Sequence, residues 1–343
     1  MNTSTSTPGG VAIIGVGHHL ADHVESNEEL CRGLDVSPEW IVEKTGIVRR
    51  HLAAPGDTAS AFAGQAARRA LAMAGIDASE VDIIIACTFS GDYLFPPLSA
   101  KLHQDLGAKG AQVYDLQANC SGVVSGLTAA SDRMFRDPSV RHALVVGVEL
   151  CSRYVDRGDV NTAIYLSDGA GAVVLGRCDA AHGILSSAFF TDSSNYESVR
   201  LRGGGSSFPS LGRERDPSVD AMEMNGLATW KQAITHLPTV IRSACDKAGK
   251  SPRDVDFFVF HQANLRLIEY IVRKMGAGLE RTYTNVQEIG NTGSASIAIA
   301  LSEAVHKGLL KPNDLLVLAG VGAGFNFAAS LWRWLPRHLE TAS

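Results

Sequence analysis

Three polar residues sit where a buried apolar run gives way to small side chains. Cys120 lies in ANCSGV (118–123), between the apolar run VYDL and a helix-like segment, GVVSGLTAASDRMF. His261 opens HQAN directly after FFVF, and Asn291 lies in GNTGSAS (290–296). A cysteine at a helix start faces unpaired backbone amides and the positive end of the helix dipole, and both favour the nucleophilic thiolate. A lone cysteine is more often a small buried side chain, and a lone histidine after a strand is more often structural. What brings the three together decides between these readings.

An internal repeat does so. Residues 68–85, RRALAMAGIDASEVDIII, match residues 242–259, RSACDKAGKSPRDVDFFV. In both, an Ala–Gly pair is followed by the Asp that opens the apolar run (Gly75 to Asp82, Gly249 to Asp256). Each copy predicts a helix stopped by glycine, a short loop and a buried strand. CTFS after DIIIA then corresponds to HQAN after DFFVF. VYDLQANCSGVVSGLTAA corresponds to YTNVQEIGNTGSASIAIALSEA, a strand running into a helix whose start carries Cys120 or Asn291. ALVVGVE (143–149) and LLVLAGV (315–321) close the copies, 23 residues after Cys120 and 24 after Asn291.

This order of strand, helix, strand, helix, strand predicts an α/β fold with helices packed on sheets. The helices at 121–135 and 292–306 are small and apolar nearly all round, so both are predicted to be buried. Two sheets enclosing two buried helices, with further helices outside, make a five-layered αβαβα sandwich. The expected organisation is a flexible leader (1–10), an N-terminal half carrying the cysteine (11–178) and a C-terminal half carrying the histidine and asparagine (179–343). The stretch 192–220, rich in Gly, Ser, Pro and charge, is expected to be an exposed loop. A duplicated fold sets its two equivalent helix starts near a pseudo-twofold axis, so Cys120 and Asn291 are predicted to meet. Strand ends of this kind are where α/β sheets place ligands.

The chain's 343 residues are 45% hydrophobic, enough for a large core. A net charge of −5 supplies no global field for nucleic acid or an anionic membrane. The cysteines at 31, 87, 120, 151, 178 and 245 form no CxxC pair, which argues against a zinc site or a disulfide framework. MNTSTSTPGG lacks a basic n-region and VAIIGVG is too short to span a membrane, so a cytoplasmic protein is expected. IGVGHHL lacks the third glycine of a dinucleotide fingerprint, and AGVGAGF (319–325) comes too late in the chain to open one. The second run reads instead as a turn offering backbone N–H groups to a developing oxyanion. His18, His19 and His103 read as structural.

Cys120 within ANCSGV, HQAN and GNTGSAS, with EWIVEKTGIVRRHLA near the start and SDGAGAVVL at 167–175, together resemble the β-ketoacyl-acyl carrier protein synthase III family of the thiolase superfamily. The resemblance runs from residue 11 to about 334. It implies a thiolase-like fold and a homodimer that uses acyl thioesters, on CoA or an acyl carrier protein, with no other cofactor. It also implies that Cys120 takes an acyl chain as a thioester, and that His261 and Asn291 bind the carbonyl of a malonyl-type acceptor and stabilise its enolate. Backbone N–H groups of Cys120 and Ala323 would form a second oxyanion hole. The residue types agree, because a nucleophile and two neutral hydrogen-bond donors suit carbon–carbon bond formation at a thioester. Trp40, Lys44, Phe95, Gly226, Asn264 and Val321 are the implied substrate or pantetheine contacts. Lys231, Arg266, Arg273 and Lys274 are the expected patch for an acidic carrier protein, the last three on one helix face; an ordinary solvated basic face is the alternative.

The departures from the family pattern carry information too. Lys44 and Val160 stand where the family has nucleotide-gripping arginines, and Leu227 where it has an asparagine. Val321 replaces an aromatic near the acyl pocket, Ala323 replaces the oxyanion glycine, and NCSGV replaces the commoner ACAGF. These changes favour a ketosynthase of specialised metabolism that takes larger chains from carrier proteins and condenses them with a malonyl or β-ketoacyl thioester. Fatty-acid initiation and ester- or amide-forming acyl transfer are the alternatives, and Asn291 speaks against the second. No second cysteine in AGVGAGF supports thiolase chemistry, and no Glu in CTFSGDY supports a hydroxymethylglutaryl-CoA synthase.

Overall fold

The computed structural model describes residues 9–335. The expected leader falls mostly outside the described residues, and Gly10 already opens the first strand. A five-stranded sheet runs in the order Gly10–Leu20, Asp168–Cys178, His142–Leu150, Ile83–Cys87, Gln112–Leu116. A four-stranded sheet runs Gly183–Thr191, Asn326–Arg333, Leu315–Gly322, Phe257–Phe260. In each, two antiparallel pairings lead into a parallel one, so the second sheet repeats the first four strands of the first. The antiparallel strands Asp168–Cys178 and Asn326–Arg333 are additions to the five-element repeat visible in the sequence.

The fifth strand of the second sheet is missing. The sequence match predicts it around Tyr283, but only a single parallel bridge, Phe258 to Thr282, forms there. Side chains take over the ladder's work. Thr282 Oγ1 donates to Phe258 O (2.8 Å), and Gln262 donates to Tyr283 O (3.4 Å) and accepts from Asn285 N (3.1 Å). The chain then turns into the short helix Val286–Ile289 instead of continuing along the sheet.

The helices Gly122–Arg136 and Ser296–His306 lie between the sheets, the second led in by a 3₁₀ turn, Gly293–Ala295. Val123, Leu127, Ala130 and Met134 of one, and Ile297, Ala300, Leu301 and Ala304 of the other, share one core with Ile85, Val145, Val173, Leu316 and Leu318 of the strands. Outside, Ala59–Ala74 and Leu98–Leu106 cover the first sheet, while Gly226–Lys247 and Leu265–Lys274 cover the second. The result is the five-layered α/β sandwich. Each fully buried Val, Leu, Ile or Phe contributes roughly 1.5–3 kcal/mol of transfer free energy. The glycine stops read from the repeat hold, with Gly75 and Gly249 both at φ 65 just past their helices.

Layer spacing is set by glycines against backbone. A Cβ on Gly15 would lie 2.2 Å from Ala70 O, and one on Gly171 would lie 2.6 Å from Ile299 N and 2.7 Å from Ala298 Cβ. Neither neighbour is a side-chain tip that can swing aside, so the helix itself would have to move. Gly171→Ala is therefore expected to lower stability by about 1–3 kcal/mol, read as a shift of the urea midpoint at unchanged slope.

Candidate active site

Cys120 occupies a 3₁₀ turn, Asn119–Ser121, that runs directly into the helix Gly122–Arg136. The turn is held by the strand from the opposite half. A Cβ on Gly322 would lie 2.2 Å from Ala118 O, and one on Gly320 would lie 3.1 Å from Cys120 O. Asn119 takes a left-handed conformation (φ 51), which asparagine tolerates better than most residues, and its Nδ2 donates to Ala323 O (3.1 Å). The residue that replaces the commoner alanine thus ties the cysteine turn to the turn carrying Ala323. Ser121 Oγ donates to Ala118 O (2.9 Å), closing the turn on itself.

His261 follows the strand Phe257–Phe260, and its backbone N–H extends the ladder to Ala319 O (2.9 Å). Its Nδ1 lies 2.6 Å from Ser296 Oγ, which also accepts from Gln262 N (3.2 Å). When the serine hydroxyl donates to Nδ1, the imidazole proton sits on Nε2. Burial lowers the His261 pKa to about 4, so at neutral pH the ring is an uncharged donor.

Asn291 lies two residues ahead of the turn Gly293–Ala295, not in the first turn of the helix as the repeat suggests. It is pinned from both sides, donating from N to Tyr165 O (2.8 Å) and accepting at O from Ser167 N (2.9 Å). These bonds take the segment into a parallel bridge with Leu166 before the helix can start. Gly293 N donates to Asn291 Oδ1 (2.9 Å), which leaves the amide Nδ2 as the outward donor.

Cys120, His261 and Asn291 line one cavity of about 1460 Å³, joined by Gly226, Asn264, Val321 and Ala323. Trp40, Lys44, Phe95, Lys231, Arg266, Arg273 and Lys274 are outside its wall. Trp40 is exposed, with Lys44 Nζ 6.0 Å from its ring centre. Phe95 projects into solvent from the loop after Ile83–Cys87, 85% exposed. Val160 packs into the small apolar cluster around Ile41. Asn264 caps the helix Leu265–Lys274 and donates to Lys44 O (3.1 Å). Arg266 is engaged with the end of the helix Pro38–Thr45, donating to Glu43 O (3.2 Å) and Val42 O (3.4 Å). Arg273 and Lys231 face solvent, and Lys274 lies over the Tyr270 ring. The four cations therefore differ in how freely they can meet a partner.

Two findings depart from the sequence reading. The stretch 192–220 is more than an exposed loop. Its Val199–Leu201 pairs with Met222–Met224, Arg213 pairs with Asp220 (2.5 Å), Arg200 with Glu223 (3.0 Å), and several of these residues wall the cavity. The Cys120 thiol is also not acidified at rest. Burial first, and then the Glu149 carboxyl, push it up to about 12, against the pull of its own backbone N–H. The helix amides favour thiolate, but burial outweighs them.

Sequence reasoning missed Ser296, Glu149 and Ser294. Ser296 follows Asn291 by the same spacing as Ser125 follows Cys120, so the repeat held a signal for it. Glu149 was visible as the one acid inside the apolar run ALVVGVEL. No described helix is long and apolar enough to cross a membrane. Chemically, a nucleophilic sulfur faces two neutral donors, a set suited to an acyl thioester and a developing enolate, with no charge that a proton transfer must neutralise. An NMR titration of the histidine rings should find His261 neutral through the ordinary histidine range and charging only near 4, and Ser296→Ala should shift its tautomer signature.

Comparison with known proteins bears on the family and the fold. Residues 114–193 match the family model of 3-oxoacyl-[acyl-carrier-protein] synthase III, and residues 245–334 match the model of its C-terminal part. The β-ketoacyl-[acyl-carrier-protein] synthase III of Rhodospirillum centenum is 40% identical over 326 residues, covering 94% of this chain and 98% of that one. The crystal structure of the 3-oxoacyl-[acyl-carrier-protein] synthase III of Aquifex aeolicus superposes with a TM-score of 0.87 at 33% identity, over 95% of this chain and 100% of that one. The priming β-ketosynthase of the R1128 polyketide pathway superposes at 0.88 with 32% identity, over 97% of this chain and 99% of that one. The chain belongs to the β-ketoacyl-[acyl-carrier-protein] synthase III family, acyltransferases of the condensing type with a thiolase-like fold.

Proposed function

We propose that this enzyme loads an acyl chain onto Cys120 and condenses it with a malonyl-type thioester, using His261 and Asn291 for the decarboxylating half. The observation that carries the proposal is the pair of neutral donors, His261 Nε2–H and Asn291 Nδ2–H, each oriented by a bond to its other polar atom and opening on the cavity that holds Cys120. The Cys120 sulfur attacks the donor carbonyl, its proton leaves with the departing pantetheine thiol, and the acyl chain stays on sulfur. The acceptor loses CO2, the two donors hold the enolate oxygen, and its carbon attacks the acyl carbonyl. Amides of Cys120 and Ala323 hold the second oxyanion, which collapses to release the β-keto product and the cysteine thiolate, and the thiolate takes a proton from solvent.

The donor on this reading is a chain longer than acetyl, delivered by an acyl carrier protein in specialised metabolism. The cavity exceeds the roughly 300–1,000 Å³ usual for small-molecule sites. Val321 presents no aromatic ring to it, Val160 offers no charge to a nucleotide phosphate and packs against the cluster around Ile41, and Lys44 and Trp40 engage each other. Arg273 and Lys231 remain free to meet an acidic carrier. A homodimer fits the edge strand Gln112–Leu116, unpaired on one side among the described residues, and the exposed apolar loop Tyr93, Leu94 and Phe95, which precedes the helix Leu98–Leu106 that leads to it. Fatty-acid initiation is the second reading, favoured by the synthase III names of relatives such as that of Rhodospirillum centenum.

Intact-mass analysis after exposure to a panel of acyl-CoAs and acyl carrier proteins separates the two. Our reading expects an adduct on Cys120 from longer carrier-bound chains, lost in Cys120→Ala, and a β-keto product once a malonyl thioester is added. Efficient loading by acetyl-CoA alone would move the enzyme to fatty-acid initiation, and no adduct from any donor would sink the nucleophile assignment.

A further inference from the structure

Behind the reactive side chains lies a carboxyl group that the condensation itself does not use. Glu149 is fully buried on the strand His142–Leu150 and lines the same cavity as Cys120. Among the described residues it pairs with no Lys, Arg or His, although a buried carboxylate without a cation is costly. Its partners are hydroxyls and one amide. Oε2 receives Ser90 Oγ (2.5 Å) and Thr88 Oγ1 (3.2 Å), while Oε1 meets Ser294 Oγ (2.9 Å) and Phe89 N (3.3 Å).

Counting protons decides the state of this group. Ser90 Oγ accepts from Leu150 N (3.0 Å) and Thr88 Oγ1 accepts from Ser90 N (2.9 Å), so both hydroxyl protons are available for Oε2. Ser294 differs. Its single hydroxyl proton has a closer acceptor in Cys87 O, at 2.6 Å. Once that proton is given to Cys87 O, the 2.9 Å contact between Ser294 Oγ and Glu149 Oε1 sets oxygen against oxygen unless the carboxyl supplies a proton. An ionised Glu149 would leave one of these bonds unmade in a dry site, whereas a neutral acid satisfies all of them.

Ser294 is part of the turn that orients Asn291. Gly293 N donates to Asn291 Oδ1, and Gly293 rests on Glu149 so closely that a Cβ there would lie 2.8 Å from Cγ of the acid. Building on the condensing role given above, we propose that Glu149 works as an uncharged carboxylic acid, donating from Oε1 to Ser294, and is a positioning residue for Asn291. Ionising it breaks the proton count at Ser294 and loosens the turn, so condensation fails on the alkaline side.

The surroundings make this visible. Cys87, Cys120, Cys151 and Tyr154 face the acid from the neighbouring strand, the cysteine turn and the segment after its own strand, and each is held neutral by burial. Asp115 and Asp168 act on Cys87 and Cys151 in turn. Burial raises Glu149 to about 7, against the opposing effect of the polar groups around its carboxyl, Ser90, Ser294, Phe89 and Thr88. His261, lowered to about 4, and Cys120, raised to about 12, do not change charge near that pH.

Two measurements test the proposal. The first is a pH series of single-turnover condensation from enzyme whose Cys120 is already acylated, which removes the thiol's own titration. Wild type should lose about tenfold in rate per pH unit beyond the ionisation of Glu149, whereas Glu149→Gln, whose amide carries a proton at every pH, should stay level over that window. The second is an infrared titration of the unliganded protein. A neutral carboxylic acid band should be present in wild type, vanish with the same midpoint, and be missing from Glu149→Gln. The same alkaline fall in both proteins, or no acid band in wild type at neutral pH, would overturn the assignment. If wild type cannot be acylated at all, the condensing reading fails, and the infrared titration still decides the state of Glu149.

Discussion

The site depends on backbone meeting backbone without side chains between. Gly147 of the first sheet admits Ser294 O from the second half, where a Cβ would lie at 2.6 Å, and Gly322 of the second sheet admits Ala118 O from the first, at 2.2 Å. These reciprocal approaches dock the two halves so that each half's reactive turn rests on the other half's strand. Cys120 is placed by Gly320 and Gly322, while Asn291 and the residues after it are placed by Glu149 and Gly147 of the opposite half. Neither half contains a complete site. The pseudo-twofold axis is where one nucleophile and one set of donors can be aimed at a single carbonyl.

Such close packing has an electrostatic consequence. With backbone filling the space, charge is poorly solvated, and the buried groups around the cysteine turn shift toward their neutral forms. Burial raises Cys120, Cys151 and Glu149 and lowers His261. A neutral resting site suits chemistry whose two charged species, an enolate and a tetrahedral oxyanion, are transient. Fixed dipoles then respond to charge that appears only during the reaction, and in low dielectric each is worth more than in water. A permanently charged histidine would need a counter-ion, which would weaken the response of its donor.

Much of this could be read in the sequence because the fold is written twice. The Gly75 and Gly249 stops, the two apolar helices and the three reactive residues all emerge from matching one half to the other. Local composition alone could not separate Cys120 from the other cysteines. What stayed hidden was of two kinds. The missing strand near Thr282 depends on Gln262 and Thr282 side chains bonding to backbone across the fold, a tertiary effect that overrides a strand-like pattern. The roles of Arg266 and Asn264 depend on the end of the helix Pro38–Thr45, more than 200 residues away, lying beside them. Charge patterning places a cation on a helix face but does not show whether a carbonyl already holds it.

The departures from the family pattern concentrate where the two halves touch. Asn119 stands in a left-handed turn and reaches across to Ala323 O, and Asn326 Nδ2 donates to the same oxygen (3.3 Å). One carbonyl thus joins the turn carrying Cys120 to the turn carrying Ala323. An alanine at 119 would lack the amide and would adopt the positive φ less readily, so the asparagine stabilises a geometry that other sequences must hold in some other way. The methyl of Ala323 fits the same logic, because a turn held by two side-chain amides has less need of glycine's freedom. The bonds from Asn119 and Asn326 to this one carbonyl tie the turn of the first half to the turn of the second.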